Sequence, residues 1–438
     1  MSDSTQPTKN RWLIAIMGTA LQLCLGTVYA WSVFQKPLMK TYGWSNTQAM
    51  WIFSLAICFL GLAAAWGGIN LPKFGPRKLA MAGGFLFGLG YFIASAALYY
   101  HNLPLLYLGY GVIGGIGLGL GYVTPVATAA KWFPDKKGFV TGMVVMGFGL
   151  GALLMSKLFA PYLLNTFQDD LVKVFAALGG IFMVCAMFVG LFIVNPPAGY
   201  SPPGWQPPTQ SAQAQQVENL TYGTCEFACS GKFIMMWLIF FCNIAAGIAI
   251  IGFQSPLLQT LYNKMDPTIP AAILAAYGGT LVGITSLFNG IGRFFWGGVS
   301  DKIGRVQTFR VMLVTQIAVF AGLAFVQHPI AFSIMLCYVL LCYGGGFGTM
   351  PSFVLDVFGA KMMPRVYGFI LTAWSVAGIV GPQITAVITD RLKDDPDPLK
   401  ASQYSFFAGM TLLIIGLIIS LVVSNSKFIP CSLREKKA

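Results

Sequence analysis

The chain has 438 residues, 56% of them hydrophobic and only 9% charged, whereas about a quarter of an ordinary soluble domain is charged. That composition excludes a water-soluble enzyme or nucleic-acid-binding domain, even though 27 Lys and Arg against 14 Asp and Glu leave a net charge of +13. A membrane helix needs roughly 20 apolar residues, so twelve spans with short connections would use up a chain of this length.

Residues 1–11 are polar and contain no short apolar run ending in a small-residue cleavage site, so the first long apolar segment reads as a span rather than a removable signal. Hydropathy predicts six spans near 12–34, 47–70, 79–99, 103–130, 138–163 and 171–194. The stretch after them opens NPPAGYSPPGWQPPTQSAQAQQ, a Pro, Gly, Ser and Gln composition that cannot build a core and reads as a linker. Six more spans follow near 233–261, 271–297, 309–326, 329–355, 367–389 and 405–423. The expectation is an all-α integral membrane protein with an N-terminal six-helix bundle (1–194), a cytoplasmic linker (195–232) and a C-terminal six-helix bundle with its tail (233–438).

The halves echo each other in register. Gly68 matches Gly297 at an offset of 229, His101 matches His328 at 227, and Pro125 matches Pro351 and Gly142 matches Gly368 at 226. Four matches at corresponding loops and spans point to duplication, a common origin of transporter folds. With the N-terminus taken as cytoplasmic, 18 of the 27 cations fall on inner loops and tails and 8 on the outer side. This asymmetry predicts a multi-pass protein of the plasma or inner membrane with both termini in the cytoplasm. The cation left over is Arg293.

A charge in hydrocarbon is expensive, so an intramembrane ionisable residue is a functional candidate by default. Arg293 precedes Asp301 by eight residues, roughly 12 Å inside the boundary at the helical rise. Its guanidinium suits a carboxylate through two parallel hydrogen bonds. The plainer reading is an arginine reaching back to the interface. Asn289, one turn earlier on the same face, is placed to orient the guanidinium or touch a ligand, and helix packing explains it equally well. Tyr122 and Trp374 come out at a similar depth, Tyr343 further outward, and Gln22 in the first span is a further polar candidate. For each aromatic, bundle packing or lipid contact is the alternative. The glycine-rich runs at 114–122 and 147–154 lie inside apolar spans without the strand or Lys-Ser/Thr a phosphate loop needs, so they read as close helix packing. The two histidines lie in outer loops with no midplane carboxylate to join them, which argues against a metal site, a cofactor or an enzyme.

The loop GGVSDKIGR at 297–305, with Gly297, Asp301, Lys302, Gly304 and Arg305, resembles the signature loop of the major facilitator superfamily. Its counterpart GGINLPKFGPRK at 68–78 keeps Gly68 and Gly75 but has Pro72 at the acidic position. The resemblance implies two bundles rocking around a central site. KWFPDKKGFVTG at 131–142, GTVYAWSVF at 26–34 and NGIGRFFWGGVSDKIGR at 289–305 together resemble the oxalate:formate antiporter and bacterial monocarboxylate transporter families. That resemblance implies that Arg293 is the substrate-binding arginine of helix eight, and that Trp374 stands where oxalate carriers keep a Lys in helix eleven. One cation balances one carboxylate, so lactate, pyruvate or a similar monocarboxylate is expected over a dianion. The expected function is secondary active transport of such anions, proton-coupled, by a protein working as a monomer in a lipid bilayer without a nucleic-acid partner. An oxalate:formate-type exchanger is the alternative, and a non-transporting anion sensor a further one. Asp356 reads as a loop-side ion pair with Lys361 or Arg365.

Overall fold

The computed structural model describes residues 10–197, 199–204, 223–359, 361–424 and 426–428. The described residues form helices, turns and loops, with twelve helices long and apolar enough to cross a membrane. They are α1 (Arg11–Tyr42), α2 (Asn46–Phe74), α3 (Pro76–Tyr99), α4 (Leu103–Trp132), α5 (Phe139–Thr166), α6 (Leu171–Gly190), α7 (Gly231–Met265), α8 (Ala271–Ile303), α9 (Arg305–Leu323), α10 (Pro329–Phe358), α11 (Met363–Arg391) and α12 (Lys400–Val422). With an even number of crossings, the described chain enters α1 at Arg11 and leaves α12 at Val422 on the same face, and these are the chain ends referred to below. The twelve expected spans are all present.

Local chemistry sets the helix ends. Asn10 accepts from the amides of Trp12 and Leu13 to start α1, and Ser45 with Gln48 forms a capping box for α2. The repeat-related loops turn in the same way. Gly75 has φ 76° and Gly304 has φ 88°, a region that side chains with a Cβ rarely adopt, and each is followed directly by a new helix. Large apolar side chains such as Leu62, Phe92, Val184, Phe188, Ile334 and Ile418 point outward, as a lipid-facing surface requires.

Without a hydrophobic drive between helices in lipid, close approach of small residues holds a bundle together. A Cβ on Gly117 would strike the α3 backbone at Phe87, and one on Gly119 the α2 carbonyl of Leu60. Two further approaches join the first six helices to the last six. Gly61 and Gly378 let α2 lie against α11, and Gly149 faces Gly290 where α5 meets α8. The glycine runs are therefore packing surfaces.

The end of the segment read as a linker carries local structure. Residues 205–222 lie outside the described residues, but Thr224–Ala228 form a short helix and α7 starts at Gly231. Phe227 is fully buried against Phe233, Phe358 and Phe369. One aromatic residue is enough to seat this segment, a local signal that the proline-rich composition upstream obscures.

Candidate functional site

Several helices lose regularity around one central point. α1 tightens into a 3-10 turn over Gly26–Ala30, which carries Tyr29. α11 is interrupted at Leu371, whose carbonyl is shared between the Trp374 amide three residues on, at 3.0 Å, and the Ser375 amide four residues on, at 3.3 Å. α4 and α10 contain the repeat-matched Pro125 and Pro351. Such breaks are common where a helix aims a side chain at a functional site.

The side chains aimed there form one aromatic cluster. Trp374 makes edge contacts with Tyr122 (ring centroids 5.2 Å), Phe148 (5.5 Å) and Phe347 (4.6 Å). Tyr29 packs on Phe148 at 5.1 Å and on Tyr343 at 5.8 Å, and the Tyr29 and Tyr343 hydroxyls share a hydrogen bond of 2.6 Å across the two halves. Each of these six residues is at most 2% exposed.

Arg293 enters the cluster from α8 and is itself 1% exposed. Its guanidinium carbon lies 4.7 Å from the Phe347 ring centre and 5.7 Å from that of Phe148, within reach of the rings' negative faces. Nε donates to Asn289 Oδ1 at 3.4 Å and Nη1 to the Tyr122 hydroxyl at 3.5 Å, both long. Nη2 is buried without a hydrogen-bond partner, and no carboxylate among the described residues pairs with Arg293. Two more buried donors lack a bond of good geometry, Trp374 Nε1 near the Tyr343 hydroxyl and the Tyr367 hydroxyl near that of Tyr122. A positive charge and surplus donors in an apolar enclosure form an environment that attracts one compact anion with several acceptor oxygens.

The sequence-derived residues fall unevenly. Arg293, Asn289, Tyr122 and Trp374 meet at the centre. Tyr343 joins them through Phe347 and Tyr29, one turn towards the face opposite the chain ends. Gln22 stays one step away: its amide donates to the Tyr122 backbone carbonyl at 3.0 Å, while its Oε1 is buried and unpaired. Tyr29, Phe148, Phe347 and Tyr367 were not picked out by the sequence reasoning. For Phe148 a signal existed, because the offset of 226 that relates Gly142 to Gly368 also relates Phe148 to Trp374.

At the signature loop, Arg305 bonds Asp301 at 2.6 Å, Ser300 at 2.6 Å and Asp356 at 2.9 Å, tying the ends of α8 and α10 to the start of α9. Asp356 is thus an ion-pair residue as its position suggested, but its partner is Arg305 rather than Lys361 or Arg365. Lys302 is exposed and Gly304 supplies the turn. Gly297 lies near the α10 carbonyl of Gly348, and Gly68 lies against α11, where a Cβ would sit 2.9 Å from the Pro364 carbonyl.

Twelve membrane-length helices packed around a buried central cation define a polytopic membrane protein. Comparison with known proteins identifies its family: residues 15–382 match the Major Facilitator Superfamily, and the chain belongs to it. Among characterised relatives, it is 29% identical over 390 residues to an oxalate:formate antiporter of Oxalobacter formigenes, covering 88% of this chain and 86% of that one. It is 27% identical to apicoplast pyruvate carrier 1 of Toxoplasma gondii, covering 84% and 82%, and 23% identical to monocarboxylate transporter 13 of Rattus norvegicus, covering 89% and 85%. In fold it resembles a bacterial homologue of the human lysosomal transporter Spinster in an inward-facing, occupied conformation, with a TM-score of 0.67 at 16% identity over 96% of this chain and 97% of that one.

Proposed function

We propose that this protein carries small monocarboxylates such as lactate or pyruvate across the plasma or inner membrane by alternating access, with Arg293 as the anion's anchor. The observation that carries the reading is the state of Arg293. It is 1% exposed, lacks a carboxylate partner among the described residues and has a free Nη2 beside aromatic walls. A protein that held this cation only for structure would be expected to neutralise it with an Asp or Glu. The resident cation balances one negative charge, so a monoanion leaves the closed site neutral and able to reorient. Tyr122 supplies a hydroxyl for the carboxylate, Asn289 orients the guanidinium, and Trp374 closes the site with an apolar wall.

Coupling follows from the same charge argument. The unliganded site holds a net positive charge, which opposes return through the low-dielectric centre of the protein. Returning with a second anion meets that constraint directly; a proton carried in with the anion meets it through a residue that holds the proton in the loaded state and bears a negative charge beside Arg293 in the empty one. We favour the proton-linked route, and the likeness to an oxalate:formate antiporter supports exchange as the second reading. The charge distribution of the loops supports cytoplasmic termini, and the site lies wholly within one chain, which supports a functional monomer.

The test is uptake of radiolabelled lactate and pyruvate into proteoliposomes, with and without an inward proton gradient, for wild type and Arg293→Ala. The reading expects gradient-stimulated uptake in wild type and none above empty vesicles in the variant. Gradient-independent uptake that requires internal anion would favour exchange.

A further inference from the structure

Among the described residues, the hydrogen bonds that cross between the two halves run from the centre of the protein to the face opposite the chain ends. Ser375 of α11 donates to the Cys58 carbonyl of α2 at 2.7 Å near mid-span. On the opposite face Lys36 of α1 donates to Gln259 of α7 at 2.8 Å, and Lys157 of α5 to Thr280 of α8 at 2.6 Å. The densest crossing is made by one acid. Asp390, at the end of α11, accepts from the Asn46 amide (3.1 Å), the Asn46 side chain (3.2 Å), the Thr47 amide (2.8 Å) and the Thr47 hydroxyl (2.5 Å).

These donors are the first residues of α2. The carboxylate of one half therefore caps a helix of the other, using amides that α2 cannot pair internally and the positive end of its dipole. Four bonds to an ionised acceptor, two of them from backbone, are stronger than neutral contacts. The same two helices meet differently on the chain-end face. There the loop position that could supply an acid from the first half is Pro72, and contact rests on Gly68 against Pro364 and Gly368 against Ala65. The α2–α11 seam is thus fastened by charge at one end and by van der Waals contact at the other.

We propose that Asp390 is the clasp that holds the face opposite the chain ends closed, so that the carrier without substrate rests closed on that face and opens there only when α2 gives up its cap. The proposal rests on the alternating-access reading, but its test needs neither substrate nor transport. Spin labels on Thr41→Cys and Met265→Cys sit at the ends of α1 and α7 on that face, in a background whose native cysteines are replaced by alanine. Their distance distribution in lipid reports opening.

Asp390→Asn keeps the shape but loses the charge and turns donors towards donors. It should raise the population of the long-distance state relative to the short one by about tenfold. Thr47→Val, which removes a single donor, should give a smaller shift in the same direction, and it serves should Asp390→Asn fold poorly. Asp266→Asn, in a loop on the same face where the carboxylate bonds only to Thr268 among the described residues, should leave the distribution unchanged. Unchanged distances in folded Asp390→Asn and Thr47→Val, or equal shifts in Asp266→Asn, would overturn the clasp. Altered distances with no carboxylate flux would leave the clasp standing and remove the transport reading.

Discussion

Replacing Arg293 by methionine should abolish carboxylate uptake yet leave the protein as stable as wild type, or more so. The opposing terms can be read from the structure. Losing the contact with Phe347 at 4.7 Å forfeits about 1–2 kcal/mol. Losing the bonds to Asn289 at 3.4 Å and Tyr122 at 3.5 Å forfeits about 1 kcal/mol each at most, since both are long. Against these stands the desolvation of a guanidinium with no acid beside it, several kcal/mol for a buried ion. Methionine is flexible and apolar and fills much of the arginine's stem volume, so the variant loses the charge without leaving a large void. The net expectation runs from zero to about 3 kcal/mol of stabilisation. The assay is thermal unfolding of purified protein in detergent without added carboxylate, alongside uptake by the same preparation in vesicles. A clear fall in Tm with uptake retained would show that Arg293 serves the fold, and the substrate argument built on its missing partner would fail.

Trp374→Lys adds a second cation beside the first and should raise oxalate transport relative to lactate; an unchanged ratio in a competition assay would count against the single-charge argument. Tyr29→Phe removes the 2.6 Å hydroxyl bond to Tyr343 and should weaken the seal between α1 and α10, seen as faster exchange of buried α1 amides with deuterium; equal protection would make the bond incidental. Gly149→Ala places a methyl 2.7 Å from the Gly290 Cα, so α5 and α8 can no longer close fully, and uptake should fall about tenfold or more with expression intact. Asp135 is held below the usual carboxylate range: burial alone would raise it, but the hydrogen bond and charge of Arg11 at 2.7 Å outweigh that. A depressed folded value stabilises above the ordinary carboxylate pKa and loses that contribution as pH falls through the lowered one. The Tm gap between wild type and Asp135→Asn should therefore hold from about pH 8 to 5 and shrink below about 4; a gap independent of pH would mean that Asp135 acts only by packing.

The spans were legible because burying backbone in lipid demands long apolar helices, and Arg293 because a cation in such a helix has no inexpensive explanation. Tyr29 was not. Counted at the helical rise from Arg11 it falls roughly 27 Å along the helix, close to the far boundary, whereas the 32-residue α1 outruns the membrane and carries Tyr29 into the centre at its 3-10 turn. Phe148 carried a signal in the repeat offset to Trp374, but Phe347 escaped for another reason. An aromatic in an apolar span looks the same whether it faces lipid, a neighbouring helix or a ligand, and only tertiary contact separates these. The clasp at Asp390 was equally hidden, because its partners are amides at the start of another helix, which no pattern in the sequence marks. Asp356 shows the limit of proximity along the chain: Lys361 and Arg365 are nearer in sequence, yet the turn at Gly304 brings Arg305 to it.

The most direct test of the account is counterflow in proteoliposomes. Vesicles loaded with unlabelled pyruvate are diluted into a trace of labelled pyruvate, and accumulation is followed for wild type and Arg293→Met. The account predicts transient accumulation of label by wild type, competed by lactate more strongly than by oxalate, and none by the variant. Wild-type protein that gives no more accumulation than empty vesicles, or a variant that matches wild type, would contradict it.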